Sequence, residues 1–140
     1  MVAYSFAPQF IEPIASRQKL QTVRAQRRRH ARVGEAIQLY TAMRTKQCRK
    51  LIDVDPICVG LMDIRIIVDP GHCRLISDMA IDGHHRTVDE MEAFARADGF
   101  ADDDEASALR RMGEFWVKAH KIKGDFFRFD GVCIRWGWPQ

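Results

Sequence analysis

Two neighbouring stretches hold many of the residues that could do chemistry. "YTAMRTKQCRK", from Tyr40 to Lys50, sets an aromatic ring beside Arg44, Lys46, Arg49 and Lys50, with Thr41 and Thr45 among them. A ring next to several cations suits nucleic acid, the ring stacking on a base while the cations meet phosphates. The same cations could stabilise the charge that develops when a phosphodiester is cleaved, with Lys46 or Arg44 facing the equatorial oxygens. A strand and turn with solvated cations would show the same letters. Tyr40, however, lies on the opposite strand parity to Ile37 and Leu39, which argues against a place in the main core. Just upstream, "VRAQRRRHARVG" (Val23 to Gly34) carries Arg24, Arg27, Arg28, Arg29, His30 and Arg32 without an acidic group. Arginine forks suit phosphates, and His30 could exchange a proton near neutral pH or be one more exposed polar residue.

The charge distribution sharpens this. The chain has 140 residues and a net charge of only +3. Yet residues 17–50 carry eleven Lys/Arg against the single acid Glu35, and residues 78–105 carry ten Asp/Glu against two Arg. Such a basic segment points to a polyanionic partner, or to a basic face held against the acidic segment inside the fold. The four cysteines form no C-x-x-C pair and lie in apolar, strand-like surroundings, so they read as buried reduced thiols. His84, His85 and Asp82 have no convincing third ligand, and no metal or other cofactor is expected. No apolar run approaches a membrane span, and the N-terminus lacks the basic and apolar regions of a secretory signal. The expectation is a cytoplasmic protein with no membrane partner.

These residues need elements to position them. "AYSF" alternates and predicts a short strand; "PQFIEPIASRQK" predicts a short helix limited by Pro13; "KLQTVR" predicts a strand leading into the basic loop. "EAIQLYTAM" and "CRLISDMAI" read as strands. Residues 47–69 read as one or two, with a break near Asp55-Pro56, and Asp69 to His72 as a turn. Thr87 to Glu90 fits a capping box that opens a helix ending at Gly99. A second helix is predicted from about Asp103 to Lys118, its acidic start favouring the N-terminal dipole. "DFFRFDGVCIRWGW" is expected to close the chain as a hairpin turning at Asp130-Gly131. Many short strands with two late helices predict one α+β domain over residues 1–140, built on a small, strongly curved or closed sheet.

The order of these pieces resembles an ASCH domain, a branch of the PUA-like superfamily. The resemblance rests on Lys19, Thr22 and Arg24 as K-x-x-T-x-R, then the basic loop, then Gly34, Glu35, Ile37, Leu39 and Tyr40 as G-[DE]-x-[LI]-x-L-[YF]. "FARADGF" before an acidic helix with Phe115-Trp116, and the terminal "FDGVCIRWGW", extend it over nearly the whole chain. It implies a small PUA-like β-barrel of about five to six strands with flanking helices, two of them in residues 87–118, and a cleft that meets RNA or nucleotides. One branch similar at the strand motif comprises amidohydrolases that deacylate acetylcytidine with a lysine, a threonine and a glutamate. Lys19 and Thr22 match the first two, and the third falls on Asp98, one methylene shorter. Residues i and i+3 of a regular strand point to opposite faces, so Lys19 and Thr22 can cooperate only if the strand is irregular there.

The function expected is RNA binding through the face built by residues 19–50, with a ribonuclease-like hydrolytic activity in a basic cleft. Lys19, Thr22, Tyr40, Lys46 and Asp98 are the candidate catalytic residues. Arg24, Arg27, Arg28, Arg29, His30, Arg32, Arg44, Arg49 and Lys50 are the candidate RNA contacts. The partner is single-stranded RNA or a modified nucleoside, and the surplus of arginine favours a polymer. Two alternatives stand: a small amidohydrolase using Lys19, Thr22 and Asp98 on acetylcytidine-type nucleosides, and a non-catalytic RNA-binding regulatory module.

Overall fold

The structure, a computed structural model, describes residues 2–139. The chain opens with strand β1 (Val2–Phe6), whose alternating pattern buries Val2, Tyr4 and Phe6. A 3-10 turn and the short helix α1 (Ile11–Ala15) follow, then β2 (Gln21–Ala25), β3 (Ile37–Thr41) and β4 (Arg49–Lys50). The long strand β5 (Ile57–Val68) starts just after Pro56, where the sequence predicts a break. After it come β6 (Ile76–Ile81), β7 (His84–His85), helices α2 (Val88–Ala97) and α3 (Ala108–Ala119), and β8 (Phe127–Gly137). No helix among the described residues is long and apolar enough to cross a membrane.

The fold is α+β, with the strands in two sheets rather than the closed barrel expected. One sheet has the order β1-β3-β4, with β1 and β3 parallel; the other has the order β2-β8-β5-β6-β7 and is antiparallel throughout. A bridge between Ala36 and Ile57, with Gly34 N–H donating to the Cys58 carbonyl at 2.7 Å, stitches the sheets where β3 and β5 begin. At the far side β1 and β2 are end strands and do not pair. There the Arg24 guanidinium crosses from β2 to donate from Nη2 to the Ser5 carbonyl of β1, 2.6 Å away. A side chain spans the seam where a backbone ladder would have closed the barrel.

Helix α2 begins as local chemistry dictates. Glu90 N–H donates to Thr87 Oγ1 at 3.2 Å and Thr87 N–H donates to Glu90 Oε1 at 2.9 Å, satisfying two orphan donors of the first turn. Helix α3 starts later than its acidic run predicts. Asp103 Oδ1 instead accepts from Glu105 and Ala106 N–H, holding these residues in a turn. Ser107 is the actual N-cap, accepting from Arg110 N–H, and Asp102 and Glu92 accept the N–H groups of Ala108 and Leu109. Met91, Phe94 and Ala95 of α2 and Leu109, Met112 and Trp116 of α3 join Ile64, Ile66, Met79 and Ile134 of the larger sheet in one core.

The expected terminal hairpin does not form. Residues 127–137 run as one strand, paired with β5 from Val68↔Phe127 to Ile57↔Gly137 and with β2 along its second half. Gly131 is a point of close approach instead of a turn. A Cβ there would strike the Arg24 carbonyl oxygen and the Phe129 ring.

Candidate functional site

Lys19 lies outside β2, in the bend between α1 and that strand, with its N–H donating to the Pro13 carbonyl at 2.8 Å. Strand parity therefore does not govern it, and its side chain turns inward although Thr22 is three residues on. Lys19 is 2% exposed, Thr22 4% and Asp98 5%, all unusual for these residue types. Asp98 caps the C-terminus of α2 and Gly99 follows at φ +100°. The three residues of the resemblance converge on one cavity of about 300 Å³.

The geometry is specific. Lys19 Nζ donates to the Asp98 carbonyl at 2.5 Å, placing a cation at the negative end of α2, and lies 3.4 Å from Asp98 Oδ1. The Nε2 of Gln21, itself 1% exposed, donates to Asp98 Oδ1 at 3.4 Å, and Arg135 Nε donates to Gln21 Oε1 at 3.2 Å. Lys19 Nζ also lies 4.6 Å from the centre of the Phe10 ring. A Cβ at residue 99 would sit 2.9 Å from Lys19 Cδ, so Gly99 serves both the left-handed cap and the lysine stem. Across the cavity, Arg24 Nε donates to Thr22 Oγ1 at 3.0 Å. Phe6, Phe10, Phe115, Trp116, Phe129 and His120 supply an aromatic wall.

Burial pushes the Lys19 ammonium below its usual pKa, with the Asp98 charge opposing, and pushes the Asp98 carboxyl above its usual value, with Lys19 opposing. Burial thus works against the charged form of both groups, and each partner's charge works to retain the other's. Cys133, buried nearby, is pushed up to about 12 and remains a protonated thiol, a poor nucleophile.

The other candidates are placed elsewhere. Tyr40 is half-buried on β3 with its hydroxyl 3.4 Å from Gln38 Oε1, and Lys46 is exposed in the following turn; neither lines the cavity. Arg24 points inward rather than toward a polymer, stacked 4.9 Å from the centre of the Phe6 ring. His30 uses both ring nitrogens internally. Nε2 lies 2.9 Å from the Ala25 carbonyl, which fixes its proton there, and Nδ1 then accepts from the Tyr4 hydroxyl at 2.9 Å. Ala31 N–H donates to that hydroxyl at 3.2 Å, so the middle of the basic loop is pinned to β1. Arg27 covers the Tyr4 ring at 4.6 Å, Arg29 pairs with Glu35, and Lys50 pairs with Asp55 at 2.8 Å. Arg28, Arg32, Arg44 and Arg49 are exposed.

The acidic segment does not neutralise this basic face. Asp102 pairs with Arg96, Asp103 with Arg111, Glu90 with Arg86, and Asp78 with His85. Among the described ion pairs, only Lys19–Asp98 joins the two segments. Residues 82–85 place His84 and His85 on an exposed two-residue strand, and no group of three or more His, Cys, Asp or Glu among the described residues is arranged to hold a metal ion.

Gln21, Gly99 and the aromatic wall escape sequence reading. Gln21 stands at an unspecified position of K-x-x-T-x-R, and the aromatics are ordinary core letters in four separate elements. The local signal is slight: Gln21 is one polar residue beside Thr22 at the start of a five-residue strand. A scan of family models, a search of curated proteins and a search of solved structures each return no match to this chain.

Proposed function

We propose that this chain hydrolyses a small N-acyl amide on a planar, nucleobase-like ring, with Thr22 as nucleophile and Lys19 as its base. The observation that carries this reading is the burial of Lys19, Thr22 and Asp98 around one aromatic-walled cavity of about 300 Å³, a volume suited to a small ligand. The K-x-x-T-x-R strand and "RADGF" supply the same three residues through the ASCH resemblance, and an open PUA-like arrangement belongs to the same proposal.

The chemistry follows from the proton balance. Lys19 with its proton passed to Asp98 is a neutral amine and takes the Thr22 hydroxyl proton. Thr22 Oγ1 bonds to the acyl carbon, and the carbonyl π pair moves onto oxygen. When that pair returns, the C–N bond breaks and the amine leaves with the proton held by Lys19. Water then attacks the Thr22 ester by the same steps, releasing the carboxylate and restoring the hydroxyl. The aromatic wall stacks the ring of the leaving group, and the exposed Arg28, Arg32, Arg44 and Arg49 draw in an anionic substrate, such as an acylated nucleotide or an RNA end.

Phosphodiester cleavage has weaker support, because Tyr40 and Lys46 do not line the cavity that holds the buried set. The direct test is acetate release from acetylcytidine by the purified chain. Release is expected from wild type and Thr22→Ser and is lost in Thr22→Val and Lys19→Ala. A wild type that releases no acetate refutes the deacylation reading; cleavage of labelled RNA by that same preparation would favour the nuclease.

A further inference from the structure

Resting on acyl transfer at Thr22, we infer that the Arg24 guanidinium is the charge receptor of the site: it polarises the Thr22 hydroxyl and holds the negative charge that appears on the acyl oxygen. Three observations carry this. The first is aim: Nε–H reaches Thr22 Oγ1 at 3.0 Å, so the guanidinium touches the atom that would bond to the acyl carbon. The acyl oxygen of the adduct is only one carbon removed from that atom, within reach of the same planar group.

The second is the charge balance of the cavity. Lys19, Arg24 and Asp98 all line it, and Lys19 and Gln21 take up Asp98 Oδ1. Among the described residues no carboxylate lies within ion-pair distance of Arg24, although it is half-buried and faces Tyr4 and Phe6; the Asp98 charge reaches it only from farther away. A guanidinium stays charged at any physiological pH, so a half-buried one with no carboxylate bonded to it gains when an anion arrives beside it. In the deacylation cycle an anion forms at this place, in the tetrahedral adduct and again in the carboxylate product.

The third is preorganisation. The Nη2 bond to the Ser5 carbonyl at 2.6 Å and the flanking rings fix the plane of the group before substrate binds. The hydrogen bonds of Arg24 among the described residues run from Nε and Nη2, which leaves Nη1 for the ligand. A mere brace between β1 and β2 would need Nη2 alone, and a neutral amide could serve it.

The test uses p-nitrophenyl acetate with the full chain, reading the nitrophenolate burst, the acetyl group on the Thr22 peptide by mass spectrometry, and thermal unfolding of each variant. Arg24→Gln is expected to slow acylation about 100-fold. It should also move the pH of half-maximal acylation upward, because the Arg24 charge is one of those that hold the Lys19 proton affinity down. Arg24→Lys, which keeps the charge and loses the planar fork, should slow acylation at least about tenfold with the pH midpoint in place; it carries the test if Arg24→Gln fails to fold. A near wild-type rate in the folded variants overturns the inference and leaves Thr22 as nucleophile. A slower Arg24→Gln with an unmoved midpoint marks a brace and overturns it too. No acetyl group on Thr22 in wild type overturns both the inference and the deacylation reading.

Discussion

Replacing Lys19 by methionine removes the charge and keeps the stem, and the consequence can be worked from its surroundings. Asp98 would remain at 5% exposure with the Gln21 amide 3.4 Å from Oδ1 and no cation bonded to it. Breaking a buried pair at one partner costs about 3–5 kcal/mol when the other must stay ionised. Asp98 can escape part of this by binding a proton, and its folded pKa, already raised by burial, rises further once the Lys19 charge is gone. The sign follows from linkage: a carboxyl whose folded pKa lies above its unfolded value of about 4 loses stability as pH rises between the two. Lys19→Met should therefore be close to wild type near pH 4 and fall behind by about 3 kcal/mol at pH 7. Urea unfolding of both proteins at several pH values reads the difference. Lys19→Met/Asp98→Leu should regain most of the loss, since no buried charge is then stranded. A pH-independent deficit in Lys19→Met would show that the methionine merely packs badly, and would refute the claim that the Lys19 charge compensates that of Asp98.

Two further outcomes can be checked on the same preparations. Gly99→Ala forces a side chain onto φ +100° and puts Cβ 2.9 Å from Lys19 Cδ, so it should cost about 1–3 kcal/mol in chemical denaturation and reduce turnover by displacing the lysine. The His30 ring, held below its usual pKa mainly by burial, favours the neutral form in the folded protein. Its contribution is complete above the unfolded value of about 6.5 and declines as pH falls through that value. Amide exchange of residues 26–32 should accelerate below that pH in wild type and be fast and pH-insensitive, after correction for intrinsic exchange, in His30→Ala.

What can be read from the letters and what cannot divides by the range of the interaction. Thr87 and Glu90 are three residues apart and satisfy each other, so the start of α2 is written locally. Asp55-Pro56 likewise ends one strand region before β5 by its own backbone chemistry. Asp130-Gly131 has the letters of a hairpin turn, but Gly131 is small because β2 and the Phe129 ring pass against it, a contact with residues more than 100 positions away in the case of Arg24. The run at Asp102 and Asp103 reads as a helix start by its charge. Its carboxylates instead accept N–H groups just ahead of the helix, and Ser107 does the capping. In each misreading a local propensity was sound and a competing partner, invisible to a short window, prevailed.

The site shows the same division at the level of chemistry. Lys19 and Thr22 look incompatible by strand parity only if both belong to the strand, and the bend that frees Lys19 depends on its N–H reaching Pro13 and on Leu20 reaching the end of α2. The richest cluster of cations in the sequence also divides by depth. Arg28, Arg32, Arg44 and Arg49 remain outside, where they act on a ligand through a screened field. Arg24 goes inside, where one oriented guanidinium in a low dielectric acts far more strongly than several solvated ones. The number of arginines favours a polymer, and the inward turn of Arg24 favours a ligand in the cavity. Under the proposed deacylation, the solvated arginines act on the approach of a substrate, and the two inward-facing cations, Lys19 and Arg24, act on its acyl group.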